Sequence, residues 1–216
     1  MDDRGLGRDV AGAEAAHRRL LDLLDAKSGH VDGAAPSRLP SWTIGHVLTH
    51  LARNADSMTR VLEASERGEV VDRYEDGVAG RDRDIEAGHT RPAAELVADV
   101  RGSIERLEHT WSVHTRWDGR SGEADGRTIP VADLPGLRWR EVDVHAVDLG
   151  LGYEPADWPA DFVRLQLRDM EMRWNARRPM GLTGLPAEAL AVEPATRLAW
   201  LFGRVELDGL APASIF

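Results

Sequence analysis

The chain has 216 residues, and its 27 Lys and Arg against 37 Asp and Glu give a formal net charge of −10. An acidic chain without a basic block is a poor candidate for binding nucleic acid or an anionic membrane, and no apolar run reaches the roughly 18 residues of a transmembrane helix. The N-terminus lacks the apolar core of a signal peptide, and cysteine is absent. We therefore expect a cytoplasmic protein without disulfides and without a catalytic thiol of its own.

Apolar residues at helical spacing predict five helices in chain order. These helices are expected at residues 8–27, 42–67, 92–114, 132–150 and 159–176. Ser41 is the expected N-cap of the second helix, Pro92 suits the first turn of the third, and Gly150 ends the fourth. The polar, glycine-rich segment at residues 68–91 predicts either a short helix or a mobile loop.

Turn signals dominate the remaining segments. Asp118-Gly119 and Asp125-Gly126 indicate a β-hairpin within residues 117–131. Beyond the fifth helix, short apolar runs alternate with turns, which suggests a small mixed domain. We therefore predict a mainly α chain, with an antiparallel four-helix bundle at residues 1–152 and a small C-terminal α+β domain at residues 153–216.

The fourth predicted helix carries a polar stripe. At about 100° per residue, Arg138, Glu141, His145 and Asp148 share one face, with apolar residues on both flanks. Such a stripe is expected to point inward, where a carboxylate is costly unless it is paired or bound to a metal. Glu141 and His145, four residues apart, can bind one ion, with Asp148 or Arg138 supporting them from outside. The alternative is a buried Glu–His pair that only stabilises the bundle.

The second predicted helix offers a third ligand. His46, His50 and Asn54 lie along the edge of its apolar face, and His50 is placed to face the interior. Two histidines and one carboxylate with an open fourth position are typical of catalytic zinc sites, although nickel, iron or cobalt also suit these ligands. His46 either supports the site or caps its helix. The other histidines show no partner pattern and are expected at the surface or its boundary: His17, His30, His89, His109 and His114.

Three segments carry a family resemblance: residues 42–54 (WTIGHVLTHLARN), 140–150 (REVDVHAVDLG) and 155–162 (PADWPADF). They resemble mycothiol-dependent maleylpyruvate isomerases, within the DinB/YfiT-like group of metal-binding four-helix bundles. The similarity runs from about residue 10 to about residue 207. Lys27 is the only lysine in a chain rich in Ala, Arg, Asp and Gly, as is typical of high-GC bacteria, and mycothiol is the low-molecular-weight thiol of actinobacteria.

The resemblance implies zinc held by His50, Glu141 and His145, the same positions that helical spacing indicates. It further implies that the thiol of mycothiol takes the open zinc position, adds to the alkene of maleylpyruvate and leaves again after rotation, which gives fumarylpyruvate. The two substrate carboxylates are expected to meet Arg81 and Arg204, and Arg83 is hard to separate from Arg81 on sequence alone. Asn54 and Tyr74, together with Arg81, are the expected contacts of the thiol cofactor.

Two alternatives remain open at this point. One is a zinc-dependent mycothiol S-transferase acting on an electrophilic xenobiotic or biosynthetic intermediate. The other is a non-catalytic, metal-binding regulatory bundle. The presence of both Arg81 and Arg204 favours the isomerase, because a dicarboxylate substrate needs cationic partners. The expected partners are thus a small dicarboxylate and a low-molecular-weight thiol, for a monomer or a homodimer.

Overall fold

The computed structural model describes residues 3–123, 126–177 and 184–213. The helices are α1 (Asp3–Ala26), α2 (Ile44–Glu66), α3 (Gly77–Gly88), α4 (Ala93–Val113), α5 (Leu134–Asp148), α6 (Ala160–Ala176), α7 (Ala187–Leu190) and α8 (Pro194–Leu201), and the strands are β1 (Arg120–Gly122) and β2 (Thr128–Pro130). The mainly α class is therefore confirmed. Within the described ranges, no helix has the length and apolar character needed to cross a membrane.

By its internal contacts the chain divides into two units, Met1–Leu151 and Gly152–Phe216. In the first unit the four long helices contact one another in a ring, α1 with α5, α5 with α2, α2 with α4 and α4 with α1, while α3 packs on α2. Fully buried side chains fill the ring, and each contributes roughly 1.5–3 kcal/mol by leaving water. Those at 1% exposure or less include Leu20, Leu24, Leu48, Leu51, Met58, Leu62, Leu96 and Leu107.

The start of α2 differs from the sequence prediction. The N-cap is Thr43, not Ser41, and Ser41 instead adopts a left-handed conformation with φ of 65°. The Thr43 side chain accepts from the backbone N–H of His46, and the His46 ring accepts from the backbone N–H of Thr43. This reciprocal pair is a capping box in which histidine takes the place of the usual Glu or Gln. Of the two alternatives for His46, the structure shows the one in which it caps its helix.

Two segments between the long helices are now defined. The hairpin prediction is confirmed, since β1 and β2 pair antiparallel with Ser121 opposite Ile129. Asp118-Gly119 lies before β1, and Asp125 lies outside the described residues. Within residues 68–91 the short-helix alternative is confirmed by α3, on which only Gly80 and Ile85 are buried.

The second unit differs from the expected α+β domain. Among residues 152–177 and 184–213 the structure assigns helices and no strand. The apolar run at residues 198–202 falls largely within α8, where Pro194 occupies the first helical turn. A short apolar run suits a buried helix as well as a buried strand, so the pattern alone does not separate the two. Trp174 packs against Trp200, and Trp158 packs against Phe162 and Phe202.

Candidate metal centre

The polar stripe of α5 points inward, as predicted. Arg138 and Asp148 are fully buried, His145 is 8% exposed, and the flanking Val142 and Val144 are buried as well. Because α5 packs on both α1 and α2, both of its sides are covered by other helices. Charged side chains in such a place need specific partners, and each of these has at least one.

Three side chains from two helices meet at the junction of α2 and α5. His50 Nε2 lies 2.9 Å from Glu141 Oε2, and His145 Nε2 lies 3.5 Å from the same oxygen. The two imidazoles make an edge-on contact, with ring centroids 4.7 Å apart. One ligand atom from each residue lies within 4.8 Å of the other two. The residues that helical spacing selected are thus brought together, with donor atoms facing one another.

This donor set fits a divalent transition metal. Two imidazole nitrogens and one carboxylate oxygen are the ligands of catalytic zinc sites. His145 Nδ1 is 2.8 Å from the buried Asp148 Oδ2, which orients the ring so that Nε2 faces Glu141. His50 Nδ1 is buried without a hydrogen-bond partner among the described residues. This nitrogen lies on the side of the ring away from Glu141, so the atom that His50 offers to the cluster is Nε2.

The protonation states of the cluster favour a ligand role for Glu141. Burial alone would raise its pKa, but the hydrogen bonds with His145 and His50 hold it well below its usual range. Burial lowers the pKa of His50, and the charge of Arg81 adds to that effect. For His145, burial opposes the charged form, yet Asp148 and Glu141 together raise its pKa. Glu141 is therefore a carboxylate at neutral pH, the form that binds a metal.

The buried Asn54 and the half-buried Tyr74 belong to a network beside this cluster. Arg138 Nη1 donates to Asn54 Oδ1 at 2.8 Å and to the carbonyl of Leu51 at 2.9 Å. Burial, reinforced by the charge of Glu141, raises the pKa of the Tyr74 hydroxyl, while hydrogen bonds with Ser57 and Asn54 act against the increase. Tyr74 is thus a neutral phenol close to Glu141. Asn54 is 2% exposed and serves the network between Arg138 and Tyr74.

Comparison with protein-family models matches residues 13–150 to the family described as mycothiol maleylpyruvate isomerase N-terminal domain. The matched residues make up more than half of the chain and contain all three candidate ligands. The chain belongs to this family. It is therefore assigned as an enzyme of the mycothiol maleylpyruvate isomerase family.

Solved structures show the same fold. Two crystal structures of a mycothiol-dependent maleylpyruvate isomerase, one of them a histidine-to-alanine mutant, match with a TM-score of 0.79. They are 24% and 23% identical to this chain, and each match covers 93% of this chain and 90% of the other. None of the curated proteins compared with the chain matches it.

The structure separates the two arginines of α3 that the family resemblance left ambiguous. Arg81 is close enough to the cluster for its charge to act on His50. Its side chain is 35% exposed and pairs with Asp82 at 2.8 Å. Arg83 is 61% exposed and pairs with Asp76 at 3.2 Å. Arg204 lies in the second unit, where it donates to the carbonyl of Phe202.

Sequence reasoning missed the buried partners of the α5 stripe. His17 and His114, both expected at the surface or its boundary, are 1% and 7% exposed. Arg138 Nε donates to His17 Nε2 at 3.0 Å, and His17 Nδ1 lies 2.8 Å from Glu108 Oε1. The His17 ring is thus neutral, with its proton on Nδ1. The burial of His17 could have been predicted from the sequence, because Ala13, His17, Leu20 and Leu24 follow one helical stripe on α1.

Proposed function

We propose that the chain catalyses the mycothiol-dependent cis–trans isomerisation of maleylpyruvate to fumarylpyruvate, with Zn²⁺ or a similar divalent cation held by His50, Glu141 and His145. The observation that carries the proposal is this cluster of two buried histidines and a half-buried glutamate inside the family-matched residues 13–150. When bound, such a cation lowers the pKa of a ligating thiol, so that the thiol is a thiolate at neutral pH. The chain has no cysteine, so a thiol nucleophile must come from a cosubstrate.

The proposed reaction consumes no reagent. The thiolate forms a bond to one alkene carbon of maleylpyruvate, and the electron pair of the double bond moves into the conjugated carbonyl to give an enolate. Rotation then occurs about the carbon–carbon bond that was the double bond and is now single. Return of the electron pair restores the double bond in the trans form and expels the thiolate, which is then free for another turnover.

The chain's own residues bind and orient the substrate in this proposal. Arg81 binds one carboxylate, because its guanidinium lies near the cluster and is partly exposed. Arg204 is the proposed partner of the second carboxylate. The neutral hydroxyl of Tyr74 is a hydrogen-bond donor for the cosubstrate or the developing enolate, and Asn54 holds that hydroxyl in place. Asp148 keeps the His145 ring oriented.

The test is consumption of maleylpyruvate by the purified zinc-loaded protein, followed by absorbance, with and without mycothiol. We expect turnover that requires mycothiol and is lost in His50→Ala. Absence of turnover contradicts the isomerase. If mycothiol still raises the unfolding temperature of the zinc-loaded protein, the S-transferase takes its place. Bound zinc without any effect of mycothiol supports a non-catalytic bundle.

A further inference from the structure

A second cluster of side chains with metal-ligand atoms lies where the first turn of α2 meets the C-terminal end of α3. His46 belongs to that turn, Glu86 to the last turn of α3, and His89 is the C-cap of α3. One ligand atom from each residue lies within 4.8 Å of the other two. The cluster shares no residue with the candidate centre of His50, Glu141 and His145.

The carboxylate of Glu86 faces both imidazoles without bonding closely to either. Its Oε1 is 3.5 Å from His46 Nε2, and its Oε2 is 3.6 Å from His89 Nε2. Both distances exceed those of ordinary N–H···O hydrogen bonds. Both Nε2 atoms therefore face the same carboxylate, while the two rings are stacked, with centroids 3.6 Å apart and planes 20° from parallel. A cation bound by all three groups would require the two imidazoles to turn out of this stack, so that both Nε2 lone pairs point at the ion.

We propose that His46, Glu86 and His89 form a second divalent-cation site, which fastens the C-terminal end of α3 to the start of α2. Two imidazoles and a carboxylate favour a borderline metal such as Zn²⁺, Ni²⁺ or Co²⁺ over Mg²⁺ or Ca²⁺. Behind His46, Thr43 Oγ1 lies 2.8 Å from Nδ1. This hydroxyl can accept the Nδ1–H of a ligating imidazole, in exchange for the bond that Nδ1 now accepts from the Thr43 backbone.

The backbone around the cluster is already in place. A Cβ atom on Gly45 would lie 2.1 Å from the carbonyl oxygen of His89, so only glycine allows the end of α3 to approach α2 this closely. The carbonyl groups at the C-terminal end of a helix also carry partial negative charge, which favours a cation there. Because Glu86 is 67% exposed, this site is expected to bind more weakly than the buried centre.

A cation here would act on α3 as a whole. Among the described residues of α3 only Gly80 and Ile85 are buried, so little apolar packing holds the helix against α2. The same helix carries Arg81, the proposed substrate partner. Occupancy of the second site would therefore fix α3 and Arg81, whereas the protein without it would keep the buried centre and a looser α3.

Zinc titration against a chromophoric chelator tests the site on five proteins: wild type, His50→Ala, His89→Gln, Glu86→Gln and His109→Gln. His109 is an exposed histidine on α4 and serves as the matched control. We expect a second, weaker equivalent of zinc in the wild type, its retention in His50→Ala and His109→Gln, and its loss in His89→Gln and Glu86→Gln. A single equivalent in the wild type, or a second one unaffected by His89→Gln, would overturn the site.

Limited trypsin digestion tests the effect on α3, since Arg81 and Arg83 are natural cleavage points. The second equivalent of zinc should slow cleavage after these residues several-fold in the wild type and not in His89→Gln at the same zinc concentration. Equal cleavage rates in the two proteins would overturn the fastening of α3. Because the readouts are metal content and proteolysis, they stand apart from the proposed isomerase activity.

Discussion

Glu141 is the residue on which the candidate centre converges, because both imidazoles approach the same carboxylate oxygen. His50 comes from α2 and His145 from α5, so the cluster exists only when the two helices are packed together. A carboxylate between two histidines can also serve a purely structural role, as hydrogen-bonded groups that only stabilise the bundle. Metal content distinguishes the two interpretations directly.

We expect His50→Ala and His145→Ala each to lose most of the zinc bound at this centre, because two remaining protein ligands make a weak site. The measurement is the amount of zinc bound per chain after dialysis. Each variant also carries His89→Gln, so that the second site does not contribute. His109→Gln on the same background should keep its zinc. Full zinc content in both alanine variants would leave the cluster as a structural pair.

Arg81 and Arg83 form a natural matched pair on α3. Arg81→Ala should raise the KM for maleylpyruvate about tenfold or more, because a charge-assisted hydrogen bond contributes roughly 1.5–3 kcal/mol. Arg83→Ala should leave it nearly unchanged, since Arg83 is exposed and pairs with Asp76. Arg204→Ala is expected to behave like Arg81→Ala. Steady-state kinetics at saturating mycothiol give the comparison, and equal effects of the two α3 variants would remove Arg81 from the substrate site.

At the scale of elements, α1, α4 and α5 are joined by a chain of side chains that is buried at His17 and Arg138 and reaches the surface at Glu108. Glu108 on α4 contacts His17 on α1, and His17 accepts from Arg138 on α5. Burial is the main cause that lowers the pKa of His17 to about 4. The network therefore favours the folded protein only while His17 is neutral.

The folding free energy should therefore become less favourable as the pH falls. The pKa of His17 is about 4 in the folded protein and near its ordinary 6.5 in the unfolded chain. Between these values the unfolded chain binds more protons, so lowering the pH from about 7 to about 4 costs up to roughly 3 kcal/mol of folding free energy from this group. His17→Gln keeps a donor and an acceptor but does not titrate, so its unfolding temperature should fall less over this range. If the unfolding temperatures of the wild type and of His17→Gln fell equally with pH, the lowered pKa of His17 would be contradicted.

The elements differ in how much of them the sequence reveals. The five main helices follow from apolar spacing, since each buries one face. The start of α2 was misplaced by two residues, because a Thr–His capping box is outside the usual Ser/Thr–Glu pattern. His50, Glu141 and His145 follow from spacing within single helices. The Arg138 network does not, because its bonds join residues 84 to 121 positions apart that only the packed helices bring together.

At the scale of the whole molecule, all three candidate ligands lie in the unit Met1–Leu151 and Arg204 lies in the unit Gly152–Phe216. We propose that these units are separate domains. A chain ending at Leu151 should then fold, bind zinc and show helical circular dichroism, while turnover of maleylpyruvate falls strongly without Arg204. Failure of this fragment to unfold cooperatively would show that the first unit depends on the second. Unchanged turnover would show that Arg204 is dispensable.

The stripe on α5 also limits how the length of the chain can vary among its relatives. Arg138 bonds to His17 on α1 and Glu141 to His50 on α2, while His145 and Asp148 bond to each other, and inserting one residue between any two would turn the following ones by about 100°. The residues on one side of the insertion would then lose the partners that they have on α1 or α2. Insertions and deletions should therefore be absent from residues 138–148 across the family. They should collect instead around the hairpin of β1 and β2, where an added residue changes only a turn.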